Sequence, residues 1–378
     1  MKEDWEYKKL GEVVYYPTER IPSTEIDGSN YVGVDNLIKN RGGKETATII
    51  PSEGNCIEYK AGDVLIGNIR PYLKKIWVAD NNGGASGDVL ILRANDEKIL
   101  YSDYLYWCLS NDSFFEFDML HSKGAKMPRG SKVDILKYTI PIPSISLQKE
   151  ISSELEALNR VIKKQKAQLE EMDKLAQSVF YDMFGDPGTN EKGWTIRKIG
   201  DVCFLKSGNS DANNSDPGDL PYVKVSDMNI LGNETFITLS SSYVDRAKNK
   251  IDIFPIGTTI FPKRGGAILT NKKRLTKVEI CCDLNVMGVI PKMEYVNQYF
   301  IFYYFLNIDF KIFGQTGSTL PQINNHNIAP MKIGIPPLSL QQEFASKIEA
   351  IESMKAKVRQ SLSEAKTLFN SRMDYYFN

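Results

Sequence analysis

Apolar residues at every seventh position mark two long segments of this chain. They include Ile151, Leu158 and Met172 in the first segment, and Phe344, Ile351 and Val358 in the second. Helices with this spacing over five turns or more bury the apolar stripe against another helix. The pattern predicts long helices over residues 144–185 and 338–378. Packing of each helix on its own domain is the alternative, but the same stripe in both segments favours pairing of the two helices with each other.

A repeated phrase opens both helical segments. "SISLQKEISSEL" begins at Ser144, and "PLSLQQEFASKI" begins at Pro337, 193 residues later. Further matches lie upstream, with "WEYKKLGEV" against "WTIRKIGDV" and "YVGVDNL" against "YVKVSDM". The offset between the matches drifts by a few residues, as loop insertions in duplicated domains produce. The chain is therefore an internal duplication, in which each half contains one domain followed by one long helix.

Local signals indicate where the helices begin and end. Ser146 and Ser339 are the predicted N-caps, because a serine oxygen accepts hydrogen bonds from the first free amides of a helix. Gly185, just before Pro187, predicts the end of the first helix. Since a domain precedes each helix, antiparallel pairing would place the two domains at opposite ends of a rod.

The segments that precede the helices, residues 1–143 and 186–337, have a different pattern. Short apolar runs such as "DVLIGNI" and "VLILR" are broken by Gly, Pro and Asn, as is typical of short strands. Two aromatic-rich stretches, 102–120 and 297–313, predict buried helices. The predicted fold class is α+β, with two similar globular domains separated by two long helices that form an antiparallel coiled coil.

Length and composition fit an ordinary protein of two or three domains. The chain has 378 residues, of which 42% are hydrophobic and 25% are charged. No apolar run reaches the roughly 18 residues of a membrane span, and the first residues, "MKEDWEYKKL", resemble no secretory signal. The five cysteines have no framework spacing, which predicts reduced thiols and a cytoplasmic location.

The sequence contains no catalytic or metal-binding pattern. "GGASGD" lacks the Gly-Lys-Ser/Thr ending of a phosphate-binding loop, and no Asx-Pro-Pro-aromatic methyltransferase signature occurs. Cys281 and Cys282 are adjacent, and neither His121 nor His326 stands at ligand spacing, so no metal site and no cofactor are expected. With only two histidines, acid–base catalysis by histidine is poorly supported. The prediction is a non-catalytic binding protein.

The distribution of charge indicates DNA binding, although 47 basic and 47 acidic residues give zero net charge. Basic residues concentrate in "RPYLKK" from Arg70, "HSKGAKMPRGSKVDILK" from His121 and "KRGGAILTNKKRLTK" from Lys263. The predicted DNA-binding side chains are Arg70, Lys74, Lys75, Lys123, Lys126, Arg129, Lys132, Lys263, Arg264, Lys272, Lys273 and Arg274. Such groups bind phosphates, and the amides of Gln322 and Asn324 in "LPQINNHN" can read adenine. The alternative is that these clusters are solvated loop faces.

Together these features resemble the specificity subunit of type I restriction–modification enzymes. The resemblance covers essentially the whole chain, and it is carried by "IPIPSISLQKEI", "IGIPPLSLQQEF", "GDVLIGNIRPYLKK" and the matching domain starts. It implies that residues 1–143 and 186–337 are target-recognition domains, each of which reads one half of a split sequence in double-stranded DNA. It also implies that the helices set the distance between the half-sites and dock two methyltransferase subunits, and that the complex recruits restriction subunits with translocase and nuclease activity.

Two other functions fit parts of the sequence. A protein-only scaffold or regulatory adaptor for methyltransferase subunits would use the helices and have no DNA sequence preference of its own. An enzyme in its own right, a nuclease or a methyltransferase, is disfavoured by the missing signatures. Steep salt dependence of DNA binding, together with discrimination among sequences, distinguishes the DNA reader from the scaffold.

Overall fold

A computed structural model describes residues 5–209, 218–246, 251–314 and 321–378. The chain folds as two units, each of which combines one sheet-containing domain with parts of both long helices. Unit 1 contains Met1–Lys166 and Gln360–Asn378, and unit 2 contains Ala167–Arg359. Among the described residues, no helix combines the length and the apolar character that crossing a membrane requires.

The domain of unit 1 is built mainly from short strands. They are β1 (Glu6–Lys9), β2 (Val14–Tyr15), β3 (Arg20–Pro22), β4 (Tyr31–Val32), β5 (Leu37–Ile38), β6 (Gly43–Lys44), β7 (Asn55–Tyr59), β8 (Val64–Gly67), β9 (Ile76–Val78), β10 (Gly83–Ala85), β11 (Val89–Ala94) and β12 (Thr139–Ile142). The helices are α1 (Leu10–Val13), α2 (Ser102–Leu109), α3 (Asp112–Leu120) and α4 (Lys132–Ile135), with 3-10 turns at Ser23–Glu25 and Pro71–Leu73. Two four-stranded sheets have the orders β3-β7-β10-β4 and β2-β11-β8-β9, while β1 pairs with β12 and β5 with β6.

The core of this domain lies between the β8–β11 sheet and helices α2 and α3. Strands β8 and β11 are continuous apolar runs because both of their faces are covered, and they pair antiparallel. The aromatic stretch 102–120, predicted as one helix, is two helices. Helix α2 ends at Leu109, and Asn111 caps α3 by accepting a hydrogen bond from Ser113 N at 3.4 Å. Tyr104 and Phe114 are fully buried in this core.

The first long helix, α5, covers Ile145–Phe184 and has 40 residues. Ser144, and not the predicted Ser146, precedes it, and Ser144 Oγ accepts a hydrogen bond from Leu147 N at 3.4 Å. The helix ends just before Gly185, whose φ of +75° lies in the left-handed region that glycine adopts without strain. The amide of Gly185 donates to Tyr181 O at 2.8 Å and so closes the last turn.

The domain of unit 2 repeats this plan. Its strands are β13 (Thr195–Lys198), β14 (Cys203–Ser207), β15 (Leu220–Val223), β16 (Phe236–Ile237), β17 (Tyr243–Val244), β18 (Thr259–Pro262), β19 (Arg274–Thr276), β20 (Cys281–Cys282), β21 (Val286–Pro291) and β22 (Lys332–Ile335). Its helices are α6 (Ile199–Val202), α7 (Gln298–Leu306) and α8 (Asn325–Ile328), with 3-10 turns at Val225–Asn229, Gly265–Thr270 and Phe310–Gly314. The sheets have the orders β14-β21-β18-β19-β16 and β17-β15-β20, and β13 pairs with β22 as β1 does with β12.

The second long helix, α9, covers Leu338–Phe377 and also has 40 residues. Ser339 lies inside its first turn, so the predicted capping role of Ser339 is wrong. Pro337 O instead accepts a hydrogen bond from Leu340 N at 3.0 Å. Gln342, three residues after Ser339, accepts a hydrogen bond from Asn297 Nδ2 at 3.4 Å.

Within unit 1 the two long helices run antiparallel. Glu154, early in this part of α5, has an Oε1 atom 2.8 Å from Arg372 Nε, near the end of α9. Gln165, further along α5, donates from Nε2 to Ser361 Oγ at 2.6 Å, and Ser361 comes earlier in α9 than Arg372. Residue numbers therefore rise along one helix as they fall along the other.

The same arrangement holds within unit 2. Asp173 Oδ1 lies 2.6 Å from Lys355 Nζ, and further along α5 the ring of Phe180 packs on Phe344, with centroids 5.7 Å apart. The predicted fold class, an α+β duplication whose long helices pair antiparallel, is thus confirmed.

Each helix also packs on the domain that precedes it. Ile151 and Leu155 of α5 belong to the core of the unit 1 domain, and Phe344 and Ile348 of α9 belong to the core of the unit 2 domain. Leu158, Met172 and Val358 are partly buried further along the helices. Helix pairing and packing on the domain, treated as alternatives from the sequence, occur together.

A buried glutamine from the repeated phrase ties each helix to its domain. Gln148 is fully buried, and its Oε1 accepts a hydrogen bond from Tyr101 N at 2.9 Å. Its Nε2 donates to Ile99 O at 2.9 Å and to Pro143 O at 2.8 Å. Gln341 makes the equivalent bonds in unit 2, to Asn297 N, Tyr295 O and Pro336 O. The repeated "SLQ" therefore marks an anchoring side chain.

All five cysteines are buried free thiols: Cys56, Cys108, Cys203, Cys281 and Cys282. Burial raises the pKa of the Cys203 thiol to about 12 and that of Cys281 to about 11. These thiols are therefore protonated at neutral pH.

Candidate DNA interface

In unit 1 a basic hairpin is joined to the end of strand β8. Within the hairpin, Lys123 and Arg129 exchange two backbone hydrogen bonds of 2.9 Å. Arg70 N donates to Pro128 O at 2.8 Å, and Gly130 N donates to Asn68 O at 3.1 Å. Two basic clusters that are distant in sequence therefore form one continuous surface.

The basic side chains of this surface are exposed: Arg70, Lys123, Lys126, Arg129 and Lys132. Arg129 forms an ion pair with Asp88 at 2.9 Å, and Lys132 Nζ lies 5.8 Å from the centroid of the Tyr16 ring. Arg70 has a φ of +55°, a left-handed conformation that is uncommon for residues other than glycine. The surrounding backbone bonds hold Arg70 in this conformation, so its position is set by the fold.

Lys74 and Lys75 are less available for phosphate binding than Arg70, which belongs to the same basic cluster. Lys74 Nζ lies 2.7 Å from Asp112 Oδ1, which also pairs with Arg41. The two cations lower the pKa of the Asp112 carboxyl. Lys75 Nζ donates to Val34 O at 2.6 Å. Both ammonium groups already have acceptors within the domain, so they have less to gain from a phosphate than exposed lysines do.

A groove of about 610 Å³ lies beside Arg70. Its walls include Lys75, Met127 and the loop from Glu45 to Ile49. Ile49 is 83% exposed and Met127 is 51% exposed, so the groove carries apolar surface beside the Arg70 cation. This loop could not be singled out from the sequence, because it carries no basic residue and an apolar residue in an irregular segment gives no signal of its exposure.

A buried carboxyl lies beneath the basic hairpin. Asp118 is 1% exposed, and burial raises its pKa to about 6. Among the described residues, neither carboxylate oxygen of Asp118 has a hydrogen-bond partner, and nor does Asn68 Oδ1. A Cβ atom added at Gly130 would lie 2.3 Å from Asp118 Oδ1 and 2.8 Å from Asn68 Oδ1. A larger residue at this position of the hairpin would therefore require Asp118 and Asn68 to shift.

Unit 2 repeats the backbone bridge of unit 1. Gly265 N donates to Pro321 O at 2.8 Å, and Ile323 N donates to Lys263 O at 2.8 Å. The isolated bridge between Ile69 and Arg129 in unit 1 has its counterpart between Arg264 and Gln322 in unit 2. The two units therefore present Arg129 and Gln322 from equivalent places.

The exposed polar residues at the bridge of unit 2 are Arg264 and Gln322. Gln322 Nε2 donates to Asn324 Oδ1 at 3.1 Å, and Asn324 begins helix α8. The residues immediately before Pro321 lie outside the described part of the chain.

Four basic residues of unit 2 that were predicted to bind DNA donate hydrogen bonds to acceptors within the domain. Lys263 is buried, and its Nζ donates to Ser207 Oγ at 2.7 Å. Lys273 is 1% exposed and donates to Ile308 O at 2.6 Å, and burial lowers its pKa to about 8. Arg274 Nη2 donates to Met228 O at 3.0 Å, and Lys272 Nζ donates to Asn229 Oδ1. Lys263 and Lys273 are therefore buried and structural, which corrects their assignment. Lys272 and Arg274 are partly exposed, so their contact with DNA stays a prediction.

The described residues include no group of three or more His, Cys, Asp or Glu side chains that could hold a metal ion. The surface around the two bridges consists of exposed cations, amides and apolar side chains. It is suited to binding a polyanion and reading its surface.

Comparison with known proteins identifies the family. The model of the family "Type I restriction modification DNA specificity domain" matches residues 2–171 and 191–364. The MjaIX specificity subunit of Methanocaldococcus jannaschii is 22% identical over 92% of this chain and 87% of its own length. A specificity subunit of Haemophilus influenzae, S.HindORF215P, is 21% identical over 75% of this chain and 72% of its own length.

Two solved structures share the fold. A chain from a structure of a type I restriction–modification system, described for its assembly and conformational transition, gives a TM-score of 0.60 at 19% identity, covering 100% of this chain and 98% of that chain. The type I S subunit of M. genitalium gives 0.62 at 13% identity, covering 99% and 96%.

The two matches of the family model place one DNA specificity domain in each half of the chain. Because the family model matches most of the chain, the protein belongs to the type I restriction–modification DNA specificity family. Its role in such a system is recognition of the DNA target, and it is not a catalytic subunit.

Proposed function

We propose that this chain reads a bipartite target in double-stranded DNA, one half-site with each unit, and directs two methyltransferase subunits and the restriction subunits to it in the cytoplasm. The observation that carries the proposal is the duplicated backbone bridge, which presents Arg129 in one unit and Gln322 in the other. Two domains of the same fold that read different DNA sequences need the same backbone scaffold but different side chains at the positions that contact the bases.

The phosphate contacts of unit 1 come from the exposed cations around the bridge. Arg70, Lys123, Lys126 and Lys132 can each neutralise one phosphate and release a bound counterion. In unit 2 Arg264 has the corresponding role. These contacts fix the orientation of each domain on the duplex without reading its sequence.

The residues that contact the bases are Arg129 in unit 1 and Gln322 in unit 2, which occupy equivalent positions. An arginine forks onto O6 and N7 of guanine, whereas a glutamine bonds N6 and N7 of adenine. We therefore assign a guanine contact to Arg129 and an adenine contact to Gln322, with Asn324 supporting the Gln322 amide. Arg129 would have to exchange its ion pair with Asp88 for the base.

The groove of unit 1 adds apolar contacts to this reading. Ile49 and Met127 flank Arg70, and exposed apolar side chains of this kind suit the 5-methyl group of thymine. Burial of these side chains against DNA would remove an exposed apolar surface that the free protein carries.

The long helices supply the spacing between the half-sites. We propose that the recognition domains are residues 1–143 and 186–337, and that residues 144–185 and 338–378 act as the spacer. A helix of 40 residues is about 60 Å long at 1.5 Å per residue. A spacer of this kind fixes how many base pairs separate the two half-sites.

Two exposed apolar pairs on the helices are our candidates for methyltransferase docking. In unit 1 they are Val161 and Leu368, and in unit 2 they are Met354 and Leu175. The offset of 193 residues between the halves relates Val161 to Met354 and Leu175 to Leu368, so the duplication carries the first pair onto the second. One repeated docking surface in each unit accounts for two identical partner subunits.

The test is a swap at the reading positions. Arg129→Gln and Gln322→Arg are each expressed with the partner methyltransferase, and the methylated sequence is mapped across the host genome. We expect Arg129→Gln to change one base of one half-site and Gln322→Arg to change one base of the other. Unchanged methylated sequences for both variants would contradict the assignment.

A second measurement separates DNA reading from the scaffold alternative. Binding of the purified chain to duplex DNA is titrated with salt, and Lys126→Ala should lower the slope of log K against log[salt] by about 1. Lys98→Ala, an exposed lysine before α2, is the matched control and should leave the slope unchanged. Methyltransferase binding without any DNA sequence preference would favour the scaffold.

A further inference from the structure

The two helix pairs differ at one buried position. In unit 2, Lys355 of α9 is only 1% exposed. Its Nζ lies 2.6 Å from Asp173 Oδ1 on α5 and 2.8 Å from Glu352 Oε1 on its own helix. The residue equivalent to Lys355 in α5 is Ile162, 193 positions earlier, and it is also buried. At equivalent positions of the duplicated helices, α9 therefore has a buried ammonium group and α5 has a buried apolar side chain.

The residue that faces Lys355 also differs between the helices. Asp173 of α5 corresponds to Lys366 of α9 at the same offset of 193 residues. If α9 paired in the same register with α9 of a second copy of this chain, Lys355 would face Lys366, and this would happen twice in the symmetric pair. Pairing of α5 with α9 avoids these like charges, because it places the Asp173 carboxylate opposite Lys355.

The buried charge contributes more to the choice of partner than to stability. A buried ion pair gives little net stabilisation over a well-packed apolar pair, but removal of one of its partners is strongly destabilising. Loss of Asp173, whose own side chain is 63% exposed, would leave the buried Lys355 ammonium with the neighbouring Glu352 as its partner. Single polar residues at such positions fix the partner and register of paired helices in other coiled coils.

We propose that the contact between Lys355 and Asp173 makes the helix pairing heterotypic: α9 accepts α5 and rejects α9 of a second copy of the chain. This inference goes beyond the reading of DNA, because it concerns which helices assemble. Its consequence is that two copies of the chain do not join through their α9 helices.

The test uses two full-length variants with mismatched charges. Asp173→Lys places a second ammonium group against Lys355, and Lys355→Glu places a third carboxylate beside Asp173 and Glu352. Each variant alone therefore has like charges in its helix pair. In a mixture the two chains can exchange helices, because the lysine introduced at position 173 of one chain then meets the glutamate introduced at position 355 of the other. The second helix pair of the exchanged dimer is again Asp173 with Lys355.

Light scattering of the co-expressed variants should give a heterodimer of twice the 42.7 kDa chain mass, at least tenfold more abundant than dimer in either variant alone. The double variant D173K/K355E should be monomeric, with stability restored. Monomers in the mixture, or no rescue in the double variant, would overturn the proposal.

A further variant keeps the test decisive if the mismatched chains do not fold alone. Lys355→Ile copies Ile162 and should fold as a monomer. In the Lys355→Ile background, Asp173→Lys should change the equilibrium constant of unfolding by less than twofold. In the natural chain the same substitution should change that constant by at least tenfold. Equal effects of Asp173→Lys in both backgrounds would show that Lys355 does not recognise residue 173.

Discussion

The anchoring of each domain by a buried glutamine leads to a quantitative prediction. Gln148→Met keeps the length and volume of the side chain but removes its amide. One backbone N–H, that of Tyr101, and two carbonyls, those of Ile99 and Pro143, then lose their partner. Each buried group without a partner costs about 1–3 kcal/mol, so the free energy of unfolding should fall by about 3–5 kcal/mol after partial relaxation.

Urea denaturation measures this loss, and hydrogen exchange locates it. The amide of Tyr101 should exchange faster in Gln148→Met, while the amide of Asn297 keeps its protection. Gln341→Met should give the reverse pattern, since Gln341 Oε1 accepts from Asn297 N at 2.7 Å.

Gln360→Met is the matched control. Gln360 is exposed on α9 and donates only to Glu364 at 3.0 Å, so its loss should change stability by less than about 0.5 kcal/mol. If Gln148→Met cost less than about 1 kcal/mol and left the Tyr101 amide protected, the anchoring role of this glutamine would be refuted.

The candidate interface and the helices support four further predictions. Asp118→Asn should raise the free energy of unfolding at pH 7.5 by about 2 kcal/mol and flatten its pH dependence, as measured by urea titrations. The native Asp118 carboxyl has a pKa of about 6 and holds its proton more tightly than the unfolded one, whose pKa is 3.8. The natural chain therefore loses stability as the pH rises from 3.8 through 6, and the asparagine variant does not. Gly130→Ala should displace the hairpin and weaken DNA binding in a filter assay by about tenfold, because its Cβ would meet Asp118. Lys273→Met should leave DNA affinity unchanged in the same assay, since the ammonium is buried; a large loss would return Lys273 to the interface. Insertion of four residues into α5 adds about 6 Å of helix, so it should change the spacer in the methylated motif or abolish binding, with both half-sites retained.

The helices were predictable because several independent signals coincide in them. The heptad stripe, the repeated phrase and Gly185 indicated residues 144–185 and 338–378, and the helices cover Ile145–Phe184 and Leu338–Phe377. The caps were assigned wrongly because serines or prolines occupy several adjacent positions. The residue that caps the helix is determined by a single hydrogen bond, such as the one that Leu147 N donates to Ser144 Oγ. The sequence alone does not show which residue makes this bond.

The DNA interface was less predictable, since charge in a sequence does not show burial. Lys273 follows Asn271, whose φ of +54° turns the chain, and the Lys273 ammonium then lies 4.2 Å from the centroid of the Phe310 ring. Arg264, in the same basic run, stays exposed. The equivalence of Arg129 and Gln322 was already visible in the sequence, because "SKGAKMPR" and "QTGSTLPQ" share a glycine and a proline at the offset of 193 residues. The backbone bridges agree with that alignment.

The burial of all five thiols makes this chain convenient for spectroscopy. Thiols that are protonated and inaccessible at neutral pH react slowly with maleimides, so cysteines introduced at exposed helix positions would be the main sites of labelling. A donor dye at residue 164 and an acceptor at residue 357, both exposed and outside the proposed docking pairs, would then report, by energy transfer, whether the separation of the two helix positions changes when DNA or a partner subunit is added. No native cysteine would have to be removed first.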